Sequence, residues 1–483
     1  MPLTHSRACG TRAWNGVRAV ISHREMTEHH GRGLQDANRP QRAEIHTALR
    51  KHSYAQNWKL GGTLLLLIAC GLLGGTSGDT PGRAMIIEVL SLAMLTLVLL
   101  HWEGPRPPWS AIGGILSILM LPLFQLIPLP PEVWKELPGR EVARDIAMFV
   151  DPGMWRPLTL DAEITMKSWL SALVPIALFL AALQTDTSQR QILVFAIIAL
   201  ATFSLLLGLV QVATGWPWLY PYEIPTNALP NGLFANRNHQ AALMYVGAAM
   251  TMVPLGAAPF PKAALQRVVS MGLLFLFAAG IFATQSRAGM TLFVIVMLLS
   301  GPILLKNRIN RRIVVFALIS LGAISYFLAQ SGVVRGAVGR FASLSAEGRY
   351  DIWPEARFAA EAYFPAGAGL GTFVKSYQGV EQLSAVSPYY LNHAHNDYIE
   401  MVLELGALAF FVFAMFLSWY SIRTFHIFLH EPADHANLIA RIALIAILAL
   451  LLHSFVDYPI RTFTHLGLFG LLCGLIYRPI RSR

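Results

Sequence analysis

The chain has 483 residues, 55% of them hydrophobic and only 13% charged, with a formal net charge of +10. A soluble domain carries about 25% charged residues, so this balance excludes a soluble enzyme and points to a polytopic membrane protein. Much of the positive charge sits at the start, where residues 1–57 hold nine Lys/Arg against four Asp/Glu; that suits a cytoplasmic tail rather than nucleic-acid binding.

Residues 1–57 show no apolar periodicity and include six histidines. They read as a disordered basic tail rather than a metal-binding tract, without a cleavable signal peptide and with Met26 as an alternative start. Cys9 lies in this tail, while Cys70 and Cys473 lie in apolar runs, so no disulfide framework is implied. Residues 58–483 form the membrane domain.

Apolar runs of about 17–23 residues match a hydrocarbon core ~30 Å thick. They predict an all-α integral membrane protein of about twelve spans, at 59–75, 85–101, 111–128, 168–184, 191–213, 239–257, 267–285, 288–305, 312–330, 398–421, 437–454 and 462–478. The loop KNRINRR, with Lys306, Arg308, Arg311 and Arg312, and the terminal RPIRSR read as cytoplasmic. With an even number of spans, both termini lie on that side.

Four segments then fall on the outer face: 129–167, 214–238, the turn at 286–287, and 331–397 between spans nine and ten. The last is too long for a plain connector. Within it DIWPEARFAAEAYF predicts a helix, with Asp351 placed to cap and Pro354 in the first turn. The following FPAGAGLGTF reads as a tight backbone turn; a nucleotide loop would follow a strand, and this one does not.

Three outer-face motifs share a design. Arg237 in LFANRNHQAAL, Arg287 in ATQSRAGMT and His395 in NHAHNDYIE each stand just ahead of a span running inward. Each such span presents its positive dipole end and unpaired N–H groups outward, with Asn236, Ser286 and Asn396 positioned as caps. Helix starts with arginine suit a phosphate or diphosphate, and Arg349 and Arg340 of the long loop are placed to add to it. The competing explanation for each arginine is snorkelling to headgroups.

An imidazole takes and gives protons near neutral pH. A general base beside an anion site suggests group transfer, so His395 is the candidate base, with His393 a weaker one. Glu400 and Glu404 lie four apart on one helix face; Glu404 is expected to face inward and brace spans beneath the site. HSFVDYPIRT, with His453, Asp457 and Arg461, either orients the site or marks the membrane boundary.

The motifs FANRNH (234–239), QSRAG (285–289), GRYDIW (348–353), FPAGAGLGTF (364–373), HNDYIEMVLELG (395–406) and HSFVDYP (453–459) together resemble the O-antigen ligase and Wzy-type polymerase superfamily of bacterial membrane glycosyltransferases. They appear in the usual order over residues 230–460. The resemblance implies a metal-independent, cofactor-free, inverting glycosyltransferase of the inner membrane. Its donor would be a polyprenyl-diphosphate-linked glycan, and 331–397 would be a large periplasmic loop. Arg237 and Arg287 would bind the diphosphate, with Arg349 assisting, and His395 would activate the acceptor hydroxyl. Asn236, Asn396, Asp397, Glu404, His453 and Asp457 would support them. A ligase would use lipid A–core as acceptor; a polymerase, another repeat unit. Against a twelve-span secondary transporter, the long loop lies outside between spans nine and ten, and midplane charge is sparse.

Overall fold

In the computed structural model of the protein the described residues are 58–103, 106–222, 229–257, 264–306, 349–381, 391–432 and 434–479; at 257, 305–306 and 349–351 only the backbone is described. The chain is helical nearly throughout. Its main helices are α1 (Trp58–Leu73), α2 (Pro81–Leu100), α3 (Trp109–Gln125), α4 (Glu141–Val150), α5 (Ala162–Leu183), α6 (Thr187–Thr214), α7 (Arg237–Ala257) and α8 (Ala264–Thr284). They continue as α9 (Arg287–Lys306), α10 (Arg349–Tyr363), α11 (Phe373–Gln378), α12 (Asp397–Leu405), α13 (Leu408–Leu429), α14 (His435–His453) and α15 (Phe463–Leu475).

Among the described residues seven helices are long and apolar enough to cross a membrane: α2, α5, α6, α8, α9, α13 and α14. The protein is thus an all-α, multi-pass membrane protein, but twelve spans are not established. α1, α3 and α15 are apolar yet shorter. α7 has 21 residues but opens on the polar run RNHQ. The run at 312–330 and the tail at 1–57 lie outside the described residues.

The expected tenth span, 398–421, is corrected by a chain break. α12 stops at Leu405 after nine residues, and the long helix α13 starts only at Leu408. Gly406 makes the break, with φ 59° and ψ −135°. A Cβ there would sit 2.0 Å from the Pro365 carbonyl oxygen, so only glycine fits. Glu400 and Glu404 therefore belong to a short buried helix outside the seven span-length helices.

α7 is the central helix, buried on all sides from Asn238 to Pro254 and packed by α6, α8, α9 and α14. Small residues permit this crowding, as is usual where helices meet without a hydrophobic driving force. α15 lies as closely on α5: at Gly470 a Cβ would be 2.3 Å from the Pro175 carbonyl oxygen.

A second, smaller core forms where α10, α11 and α12 meet, around Ala356, Ala359, Tyr363, Phe373, Ala394 and Leu403. The glycine-rich turn docks on the end of α12 through its backbone. Ala368 N–H donates to Leu403 O (2.9 Å), Gly369 N–H to Glu404 O (3.0 Å), and Pro365 O accepts from Ala407 (2.9 Å). These bonds take up carbonyls that a helix end leaves unpaired. Gln125, at the end of α3, bridges the same two segments, donating to Glu404 O (2.9 Å) and accepting from Leu370 N–H (2.9 Å). The 129–167 segment joins them. Its strands β1 (Pro128–Leu129) and β2 (Arg156–Pro157) pair antiparallel, and buried Arg140 donates to Leu158 O and Gly367 O. Two segments expected separately on one face thus form a single layer over α12.

Candidate active site

Three helix starts frame the site, and each expected cap is made. Asn236 Oδ1 accepts from Asn238 N–H (2.8 Å) at α7, Ser286 Oγ from Gly289 N–H (3.1 Å) at α9, and Asn396 Oδ1 from Tyr398 and Ile399 N–H (3.0 and 3.2 Å) at α12. Arg237 and Arg287 are the first residues of their helices, and both are half-buried. Gln285 and His395, each immediately before a cap, take left-handed backbone at φ 55° and 50°. That region is uncommon outside glycine and stores strain at functional turns. α9 meets α7 close to both starts, since a Cβ on Gly289 would lie 2.5 Å from Ala241 Cβ.

Asp457, fully buried just past α14, ties two of these starts together. Its Oδ2 accepts from Asn238 Nδ2 (2.6 Å), and its Oδ1 accepts from the Tyr458 N–H (3.0 Å) and faces His395 Nδ1 at 3.3 Å. A carboxylate only accepts, so this bond places the His395 proton on Nδ1 and leaves Nε2 as the basic nitrogen. The residue after Arg237 is thereby one carboxylate away from His395.

Tyr458 is wedged among three imidazoles, with ring centroids 4.3 Å from His393, 4.9 Å from His395 and 5.0 Å from His239. Burial, then the neighbouring Asp457 charge, pushes its phenol well above the usual range, so the hydroxyl stays protonated; it is bonded to the Asn392 and Asn236 side chains. His239 lies 3.9 Å from Asp457 Oδ1, and its ring nitrogens have no hydrogen bond among the described residues.

Beside this group Arg461 gathers three acids from α12. It lies 3.2 Å from Asp397, 3.4 Å from Glu400 and 3.1 Å from Glu404. Glu400 also accepts from His393 Nδ1 (2.7 Å) and Ala394 N–H (3.0 Å). One cation cannot offset three buried carboxylates equally. Burial raises Glu400, but Arg461 and His393 outweigh it and hold the group below the usual carboxylate range. For Glu404 burial prevails over Arg461, and Glu400 adds to it, so the carboxyl is held up. Burial likewise outweighs Arg461 at Asp397, pushing it up to about 6.

The structure joins His395, Asp457, Asn238 and, through Tyr458, Asn236 in one network; Asn396 caps the helix that follows His395, and Arg237 stands between Asn236 and Asn238 in the chain. Asp397 and Glu404 belong to the adjoining Arg461 cluster. His453 is bonded to the Tyr245 hydroxyl of α7 (3.1 Å). Arg349 opens α10, but its side chain and the whole of Arg340 lie outside the described residues. Asn238, His239 and Tyr458 were not among the expected residues. Asn238 and Tyr458 adjoin expected residues in sequence and His239 lies two past Arg237, which was the available signal. Among the described residues no group of three His, Cys, Asp or Glu side chains is arranged to hold a metal ion.

Fold and site define a polytopic membrane protein whose polar centre lies at the capped starts of α7 and α12, with α9 packed on α7 one turn in from their starts. The family model described as O-antigen ligase matches residues 272–414, and the resemblance to that superfamily stands on this match. The matched stretch carries Arg287, Arg349 and His395, whereas Arg237 and Asp457 lie on either side of it. No curated protein matches the chain. The family points to a membrane enzyme that transfers glycans.

Proposed function

We propose that the protein is an inner-membrane glycosyltransferase of the O-antigen ligase type, moving a glycan from a polyprenyl-diphosphate carrier to a sugar hydroxyl of lipid A–core at the periplasmic face. His395 Nε2 takes the proton of the acceptor hydroxyl. The acceptor oxygen bonds to the anomeric carbon from the side opposite the diphosphate, whose C–O bond breaks with its electron pair. The configuration inverts. Arg237, Arg287 and the N–H groups at the starts of α7 and α9 take up the charge of the leaving diphosphate; Arg349 assists from the loop. No metal or cofactor enters these steps.

The observation carrying this reading is the Asp457 bridge, which couples His395 (3.3 Å) to Asn238 at the start of the Arg237 helix (2.6 Å). A carboxylate–imidazole pair beside a cationic helix start combines a base with an anion site, as group transfer requires.

The test is transfer by the purified protein in lipid, with undecaprenyl-diphosphate-linked saccharide as donor and lipid A–core as acceptor. Alanine at Arg237, Arg287 or His395 abolishes transfer while the protein still inserts; normal transfer by all three variants refutes the reading. Deleting the gene separates the two acceptor classes. Undecorated lipid A–core with long lipid-linked polymer marks a ligase, and single-repeat products mark a Wzy-type polymerase.

A further inference from the structure

The site contains a second imidazole–carboxylate pair that the proposed chemistry does not use. His393 Nδ1 lies 2.7 Å from Glu400 Oε1. Glu400 is fully buried, and its other oxygen accepts the Ala394 N–H at 3.0 Å. Because the carboxylate only accepts, His393 carries its proton on Nδ1 and turns Nε2 away from Glu400. His395 is held in the same way by Asp457. The side chains keep 13% and 20% exposure respectively, and neither Nε2 is a buried atom without a partner. Both rings pack on Tyr458, at 4.3 and 4.9 Å.

The two imidazoles differ in what lies behind them. His395 is tied through Asp457 to the start of α7, the side of Arg237. His393 is tied to α12 and stacks toward Phe373 of α11 at 6.5 Å, the side of the long loop. The diphosphate belongs with the arginines and helix starts, so the loop side is left for the other substrate.

We infer that His393 is an acceptor-binding residue: its Nε2 hydrogen-bonds a hydroxyl of the acceptor saccharide and holds that sugar beside His395. The inference rests on the proposed glycan transfer. It applies whether the acceptor is lipid A–core or a repeat unit, since both present sugar hydroxyls. A hydroxyl both donates and accepts, so the contact survives either charge state of the ring.

Two substitutions divide the ring's two nitrogens. His393→Asn puts an amide near the Nδ1 position and keeps the bond to Glu400, but nothing reaches the Nε2 position. His393→Gln puts its amide near Nε2. Transfer kinetics are measured for both with the undecaprenyl-diphosphate saccharide as donor and, as acceptor, lipid A–core and the lipid-linked repeat unit in turn. H393N raises the apparent KM for the acceptor about tenfold, the value of one hydrogen bond, while kcat and the donor KM stay near wild type; H393Q restores much of the acceptor KM. A wild-type acceptor KM in H393N, a loss confined to kcat, or equal behaviour of the two variants overturns the inference and leaves the transfer reading intact. Absence of transfer by the wild-type protein overturns both.

A second measurement avoids substitution. The wild-type protein is modified with diethyl pyrocarbonate and His393 followed by mass spectrometry. The acceptor that supports transfer, lipid A–core or the repeat unit, added alone protects His393, and unchanged modification overturns the inference.

Discussion

His395 and Asp457, 62 residues apart in sequence, meet with Nδ1 and Oδ1 separated by 3.3 Å. The contact sets the tautomer of the His395 imidazole, and Asp457 has a second obligation to Asn238 at 2.6 Å.

An amide at 457 has one acceptor oxygen instead of two. It cannot accept from both Asn238 and His395, so Asp457→Asn frees the imidazole or loosens the start of α7. General acid–base catalysis contributes about 10²–10⁴-fold, so kcat in D457N falls by about 10²-fold with donor binding retained. Steady-state transfer kinetics check this; an unchanged kcat would show that Asp457 does not orient the base.

Glu400 and Glu404 share Arg461 but hold opposite protonation tendencies. Gln imitates a protonated carboxyl and not a carboxylate. Glu400→Gln therefore breaks a buried charge pair, at a cost of about 3–5 kcal/mol, and also weakens the bond to His393. Glu404→Gln costs much less. Thermal unfolding of both variants in detergent ranks them; equal destabilisation contradicts the assignment.

Asp397, pushed up to about 6 by burial, makes stability fall as pH rises. Its unfolded value is about 3.9, so between about pH 4 and pH 6 the folded protein keeps a proton that the unfolded chain has released. The stability of wild type relative to Asp397→Asn decreases across that window and levels off above it. Denaturant midpoints measured at pH 4, 5, 6 and 7 test the sign. A rising difference would mean that the attraction to Arg461 exceeds the effect of burial.

Gly406→Ala forces a Cβ to 2.0 Å from Pro365 O, at φ 59°. The strained backbone alone costs about 1–3 kcal/mol, and relieving the clash undocks the glycine-rich turn from α12. The expected outcome is a lowered unfolding temperature and lost transfer, since α12 carries the turn that holds His395. A stable, active G406A would show that the break is not required.

Composition and hydropathy by themselves determined the membrane class and most helix positions, because a bilayer span is a local property of some twenty residues in a row. The caps at Asn236, Ser286 and Asn396 were legible for the same reason: a cap bonds within three residues of itself. The break at Gly406 was not, because the apolar run continues on both sides of it and only the approach of Pro365 from a distant loop explains it. Nor did the spacing of HSFVDYP reveal what Asp457 touches: its contact with Asn238 across 219 residues of chain exists only through packing of α7 against α14. Side chains with strong local patterns can be read from neighbours in sequence, whereas a carboxylate shared between an imidazole and a helix start exists only once separate helices have packed.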